Sequence, residues 1–250
     1  MLPHTGATPL ETVMAQGAFG ISYQPIFDLT SGRLFAQEAL LRPLTTFAGP
    51  VEMLDAAAKE GKMGELGRDI RKIAVHGSPE TALFLNAHPH ELDEPWLVQP
   101  DDPIFAHPYD VYLEITEGTP FRQTKVSHDA IHELARRGVN VVVDDFGAGY
   151  SNLRYIADLE PKIVKLDREM LVGIEDSWRV VQLIRGLVRV CEDLGAKVIA
   201  EGVETEVQLE RLREARVHYV QGFYLGRPSA VQITAHGEDA PEHSGERLKI

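Results

Sequence analysis

The residues best equipped for chemistry in this sequence are carboxylates, carboxamides and one lysine, each at or near the end of a short apolar run. Glu38 is followed by Arg42, Asn86 ends Ala82–Asn86, and Glu114 lies in Val111–Thr116 with Glu117 just beyond. Asp144 and Asp145 follow Val141-Val142-Val143. Lys165 and Asp167 end the run that starts at Ile163, Glu201 follows Val198–Ala200, and Gln221 follows Val217–Val220. The candidate ligands are all oxygen donors, with no Cys or His among them, which favours a hard cation, Mg²⁺ or Mn²⁺, over zinc. Two adjacent acids repel unless a cation sits between them. A bridging aspartate with acids on either side suggests two ions, roughly 3.5–4 Å apart in hydrolytic sites of this kind. Such sites usually serve phosphate-ester chemistry. Any one of these residues taken alone reads as a cap or a solvated surface group; their recurrence at successive strand ends points to one convergent site.

Convergence needs elements that bring the strand ends together. Ile21–Leu29 and Leu34–Leu41 read as strands joined by Thr30-Ser31-Gly32, a turn short enough to make the pair antiparallel. Strands at Ala82–Asn86, Val111–Thr116, Val139–Val143, Ile163–Leu166, Val198–Ala200 and Val217–Val220 follow. Helices are expected over Val51–Lys59 and Leu66–Val75, divided by Gly61 and Gly64. Others span Thr124–Arg137, burying Val126, Ala130, Ile131 and Leu134, and Asn152–Leu159. Ser177 is expected to cap a long helix with an apolar stripe of Val181, Ile184, Val188, Cys191 and Leu194, closed by Gly195. Thr205 and Gln208 form a capping box for the next helix. Because adjacent strand residues point to opposite faces, Asp144 and Asp145 can serve one site only where the backbone turns, and Gly147 and Gly149 are placed to allow that.

Eight strands with interleaved helices in 250 residues predict an α/β fold, a (β/α)8 TIM-like barrel with an antiparallel first strand pairing. An open doubly wound sheet is the alternative. The expected division is a lead-in over 1–17, a barrel domain over 18–235 and a polar tail over 236–250. The formal net charge of -13 argues against a DNA or RNA polymer or an anionic membrane as partner. It leaves room for an anionic substrate, because bound metal reverses the local field. One cysteine, Cys191, excludes an internal disulfide framework. No run is long enough to span a bilayer and no signal peptide opens the chain, so the expected compartment is the cytoplasm.

The motifs, taken in order, resemble the EAL domain family. Tyr23-Gln24-Pro25-Ile26 precedes Glu38-Ala39-Leu40 with Leu41-Arg42, and Leu85-Asn86 and Glu114-Ile115-Thr116-Glu117 follow. Then come Asp144-Asp145-Phe146-Gly147, Lys165-Leu166-Asp167, Glu201-Gly202-Val203-Glu204 and Gln221-Gly222-Phe223. The resemblance implies a stand-alone phosphodiesterase domain that opens cyclic di-GMP to linear pGpG with Mg²⁺ or Mn²⁺, using two ions. It implies that Glu38, Asn86, Glu114 and Asp144 hold the first ion and that Asp144 bridges to the second, beside Asp145. Glu201 then acts on the second-ion side or as general base. Lys165 orients the attacking water, and Gln221 completes the site. Gln24, Arg42 and Asp167 contact substrate, with the Arg42 guanidinium suited to a phosphate. Glu117 braces the Gly147–Ser151 loop, and the segment Gly147–Leu159 after the fifth strand contributes to a homodimer. Ala148 and Asn152 depart from the family's frequent Thr and Ser and bear on loop tuning. The rival reading is a catalytically inactive EAL domain that acts as a cyclic di-GMP receptor or protein-interaction module.

Other patterns are set aside. Asp145-Phe146-Gly147 spells a kinase metal motif, but the other kinase signatures are missing from the sequence. His128 and His132, four apart with Asp129 between them, mimic a zinc-protease helix; that helix lies outside the barrel, so exposed histidines are expected. His88 and His90, close behind Asn86, read either as lining the site rim or as a helix-start loop, and the loop is the expectation. Trp96 and Trp178 read as packing residues, and Cys191 as an inert core thiol.

Overall fold

The eight apolar runs close into one barrel in sequence order. The computed structural model describes residues 6–78, 80–116, 125–149 and 153–229. The strands are β1 (Phe19–Asp28), β2 (Leu34–Pro43), β3 (Ala82–Asn86), β4 (Val111–Thr116), β5 (Asn140–Phe146), β6 (Ile163–Leu166), β7 (Lys197–Ala200) and β8 (Tyr219–Val220). The helices are α1 (Pro9–Gln16), α2 (Pro50–Glu60), α3 (Met63–Gly77), α4 (Lys125–Arg136), α5 (Leu153–Leu159), α6 (Trp178–Asp193) and α7 (Glu206–Glu214). The expected polar tail over 236–250 lies outside the described residues. No helix among the described residues is long and apolar enough to cross a membrane.

The β1–β2 hairpin is antiparallel, with Gln24 opposite Glu38. Its turn is closed by Asp28, whose carboxylate accepts from the Thr30 and Ser31 amides. In a closed sheet, a single reversed strand must oppose both neighbours, and β1 also pairs antiparallel with β8. All other contacts are parallel.

Strand alternation divides the apolar residues between two cores. Ile26, Ala36, Phe84, Tyr112, Val142, Ile163, Ile199 and Tyr219 pack inside the barrel, with Phe84 stacked on Tyr112 at 4.4 Å and Phe35 on Tyr219 at 3.9 Å. Their sequence neighbours face outward to the helices. Leu83, Leu113, Val141, Val164 and Val198 meet Ile131, Leu134, Val181, Ile184, Val188, Cys191, Leu209 and Leu212. A third cluster of Leu10, Val13, Phe19, Leu41, Met53, Ala57, Met63 and Leu66 anchors α1.

The connection from β3 to β4 is long and built of 3-10 turns, Pro89–Asp93, Pro95–Val98 and Pro103–Ala106. A buried clamp ties it to α3. Arg71 donates Nε and Nη2 to Asp102, the latter at 2.8 Å, and Nη1 to Glu91. The clamp explains a departure at α3, which starts at Met63 and runs through Gly64 rather than after it. A side chain at Gly64 would strike Glu94 and Trp96, and one at Gly67 would strike Glu91. The glycines are there for close approach, not as helix stops.

The start of α7 is as expected, whereas three details of α6 are not. Thr205 and Gln208 form the capping box. Ser177 occupies the N-cap of α6, but its side chain makes no capping bond. The stripe Val181, Ile184, Val188 and Cys191 is buried, whereas Leu194 is 44% exposed because the helix ends before it. Trp178, the first residue of α6, is 70% exposed rather than a packing residue. Trp96 does pack, against α3 at Gly64 and beneath Arg68.

Candidate functional site

One rule of register builds the site. Each residue of the inner core has, two positions further toward the C-terminal rim, a polar residue on the same face. Ala36 leads to Glu38, Phe84 to Asn86, Tyr112 to Glu114, Val142 to Asp144, Ile163 to Lys165, Ile199 to Glu201 and Tyr219 to Gln221. On the reversed β1 the step runs backward, from Ile26 to Gln24. The strand ends thus deliver one ring of functional groups directly above a dry aromatic and aliphatic floor.

Asp145 breaks the alternation, and its backbone shows how. It adopts φ 55°, in the left-handed region, where the β5–β6 register shifts between Val143 and Phe146. Asp is among the few residues that tolerate this conformation. The turn that brings both acids to one side therefore begins at Asp145 itself, inside the strand, ahead of the glycines expected to supply it. Gly147 extends it with φ 107°, and any side chain there would meet Met170. One oxygen from each of Asp144, Asp145 and Glu201 lies within 4.8 Å of the others, an arrangement that could hold a cation.

Lys165 stands at the centre, 1% exposed. Its Nζ lies 2.5 Å from Glu114, 2.6 Å from Glu201, 3.0 Å from Asp144 and 3.6 Å from Glu38. Burial works against its charge, but Asp144, Glu114, Glu201 and Glu38 outweigh it and hold the ammonium well above the ordinary lysine range. Burial, with repulsion from Glu38 and against the pull of Lys165, holds Glu114 well above the usual carboxylate range. Burial also raises Glu201 to about 8 and Asp145 to about 6, against the pull of Lys165 and with Asp144 repelling both.

The donor set fits a divalent ion. Four carboxyl groups crowd one ammonium, and Glu114 Oε2 and Gln221 Oε1 are buried acceptors with no hydrogen bond. Glu38 is held from two sides, by Asn86 Nδ2 at 3.3 Å and Gln221 Nε2 at 2.6 Å.

Above this layer opens a cavity of about 270 Å³, lined by Gln24, Glu38, Asp144, Asp145, Lys165, Glu201 and Gln221 among others. Gln24 donates to the Gly226 carbonyl at 3.1 Å. Two expected substrate contacts are not in its lining. Arg42, four residues beyond Glu38, donates to its own neighbour's carbonyl, Leu41 O, at 2.9 Å. Asp167 caps the turn Arg168–Leu171 through the Glu169 amide. Glu117, Tyr150 and Ser151 lie outside the described residues. Arg168 lines the cavity without having been singled out, and Glu204 and Phe223, named only within motifs, line it too. Arg168 could have been found from the sequence as the cation directly after Asp167, at a strand end already marked.

His88, His132 and Cys191 take no part in the cavity lining. His88 caps the turn Pro89–Asp93, and His132 is exposed; the side chain of His128 lies outside the described residues. Cys191 is buried, which pushes its thiol up to about 11.

Comparison with known proteins places this geometry among relatives. A family model described as EAL domain matches residues 9–228. The cyclic di-GMP phosphodiesterase NbdA of Pseudomonas aeruginosa is 30% identical over 83% of this chain and 28% of its own length. Among solved structures, a PaMucR phosphodiesterase in complex with c-di-GMP is 27% identical, with TM-score 0.76 over 88% of this chain and 95% of that one. A Klebsiella pneumoniae BlrP1 complex with manganese and cyclic di-GMP is 29% identical, with TM-score 0.74 over 85% of this chain and 56% of that one. The chain spans about a third of the length of the curated relatives it matches.

Proposed function

The chain belongs to the EAL domain family, and from that premise we propose that it is a metal-dependent phosphodiesterase that opens cyclic di-GMP to linear pGpG. The observation that carries this reading is the ring of oxygen donors around buried Lys165, above an apolar floor. In this reading Glu38, Asn86, Glu114 and Asp144 would hold one divalent ion, Mg²⁺ or Mn²⁺, and Asp144 with Asp145 would serve a second. Bound there, such ions lower the pKa of water and neutralise charge on the leaving oxygen.

The chain's own groups do the rest. Asn86 and Gln221 fix the Glu38 carboxylate. Lys165, kept protonated by its acids, holds the attacking water or the developing charge on phosphorus by a hydrogen bond. Glu201 either accepts a proton from that water or serves the second ion. Water oxygen bonds to phosphorus, the bond to a ribose 3′ oxygen breaks, and that oxygen takes up a proton to give a linear dinucleotide with a 5′ phosphate. Self-association through Gly147–Leu159 and a cytoplasmic setting complete the proposal; light scattering across a concentration series tests the former.

The deciding experiment incubates the protein with cyclic di-GMP and Mg²⁺ or Mn²⁺ and separates products by chromatography. Conversion to pGpG, stopped by chelation, is expected. Tight binding without conversion would instead establish the receptor reading.

A further inference from the structure

The turn Arg168–Leu171, which follows β6 and Asp167, stands between the two strand ends that supply Asp144, Asp145 and Glu201. Toward β5 it presents Met170. Gly147, two residues beyond Asp145, lies so close that any side chain on it would collide with Met170 Cγ and Sδ. Toward β7 it presents Arg168. Gly202 directly follows Glu201, and a Cβ on it would lie 2.5 Å from Arg168 Cβ. Both glycines have positive φ, 107° and 68°, so each loop turns where this wedge meets it. The wedge itself is fixed. Leu171 is buried in the core, the Asp167 amide donates to Phe146 O at 3.0 Å, and the Met170 amide donates to Asp167 O at 3.0 Å.

The groups around Lys165 differ in how they are held. Glu38, Asn86, Glu114 and Asp144 sit within ladder pairs of the barrel. Asp145 instead lies in the β5–β6 register shift with a left-handed φ of 55°, a conformation that persists only where its surroundings over-determine it. Met170 is the side chain that fills the space over that turn. We propose that Met170 is a positioning residue that holds the Asp145–Gly147 turn against β6, and so sets the affinity for the second divalent ion without affecting the first. This rests on the two-ion site of the phosphodiesterase reading above. An unbranched thioether adapts to an irregular gap of this kind. Truncating it frees the turn, whereas leucine, of similar volume, keeps the gap filled.

The test is calorimetric Mn²⁺ titration of the unaltered protein, Met170→Ala, Met170→Leu and Leu209→Ala, with the Mn²⁺ dependence of cyclic di-GMP turnover measured in parallel. Met170→Ala is expected to weaken binding of the second ion about 10–100-fold, the usual cost of losing an outer support, while the first Kd is unchanged. Met170→Leu restores it. Turnover in Met170→Ala should need a correspondingly higher Mn²⁺ concentration, with KM for cyclic di-GMP near the unaltered value. Leu209→Ala removes core packing between α7 and the barrel wall, so it lowers the melting temperature and moves neither Kd. If thermal melts show that Met170→Ala has lost its fold, Met170→Val makes the same comparison with a smaller truncation. An unchanged second Kd, or equal weakening of both ions, would overturn the positioning role alone. Binding of fewer than two ions by the unaltered protein would overturn that role together with the two-ion site. Two ions bound without hydrolysis of cyclic di-GMP would overturn the phosphodiesterase reading, while the change in the second Kd would still decide the role of Met170.

Discussion

Lys165 Nζ lies 3.0 Å from Asp144 Oδ1, so the site's buried ammonium touches the carboxylate that also stands within ligand reach of Asp145 and Glu201. Lys165→Met keeps most of the stem and removes the charge. Loss of one such electrostatic contact commonly costs on the order of 10²–10³ in rate, and kcat should fall by that amount while cyclic di-GMP binding in Ca²⁺ persists. Single-turnover kinetics decides; wild-type kcat in the variant would refute the role. The same substitution strands several buried carboxylates, so the melting temperature in chelator should drop sharply and recover with Mn²⁺.

Asp144→Asn removes a charge from the position proposed to face both ions. Metal affinity should weaken by more than the roughly 10–100-fold that loss of an outer partner costs, and activity should fall with it. Calorimetric titration with Mn²⁺ gives the answer. An unchanged Kd would mean that the bridging role belongs to another residue.

The raised carboxyls make a signed prediction for the metal-free protein. Glu201 moves from 4.5 to about 8 and Asp145 from 3.8 to about 6, both chiefly through burial. Each binds its proton more tightly folded than unfolded, so the stability it adds at low pH is lost as pH rises through the folded value. In chelator, the melting temperature should decline as pH rises from about 4.5 to 8, the Asp145 share being lost by about pH 6 and the Glu201 share by about pH 8. With Mn²⁺ the trend should reverse, since ligands bind metal when deprotonated. A flat profile in chelator would contradict the burial argument.

Arg71 offers a test of the fold away from the site. Arg71→Met leaves Glu91 and Asp102 buried without their cation. A cost of about 3–5 kcal/mol is expected, read from the denaturant midpoint. A loss below 1 kcal/mol would show that water or relaxation satisfies the acids.

Much of this was legible in the residues because strand pattern and site pattern are the same period. The runs at Ala82–Asn86, Val111–Thr116 and Ile163–Leu166 stand as expected, with matching bounds, and polar groups at their ends could be read off directly. The Thr30-Ser31-Gly32 turn disclosed the reversed strand. Three features were not local enough to read. The left-handed backbone at Asp145 depends on how β5 leaves β6. The helical Gly64 and Gly67 answer to Glu91, Glu94 and Trp96, which are distant in sequence. The turning of Arg42 onto its own backbone depends on side-chain direction that spacing does not specify.

The reversal of β1 also decides where the chain comes in. In an all-parallel barrel the first strand starts at the floor, far from the chemistry. Here Phe19, at the start of β1, lies opposite Pro43, at the rim end of β2, and α1 packs beside that edge. The entrance of the polypeptide and the entrance for substrate therefore share one doorway. In any longer arrangement of this fold, a module joined ahead of α1 would be moored at the rim that carries the site, not beneath the barrel floor.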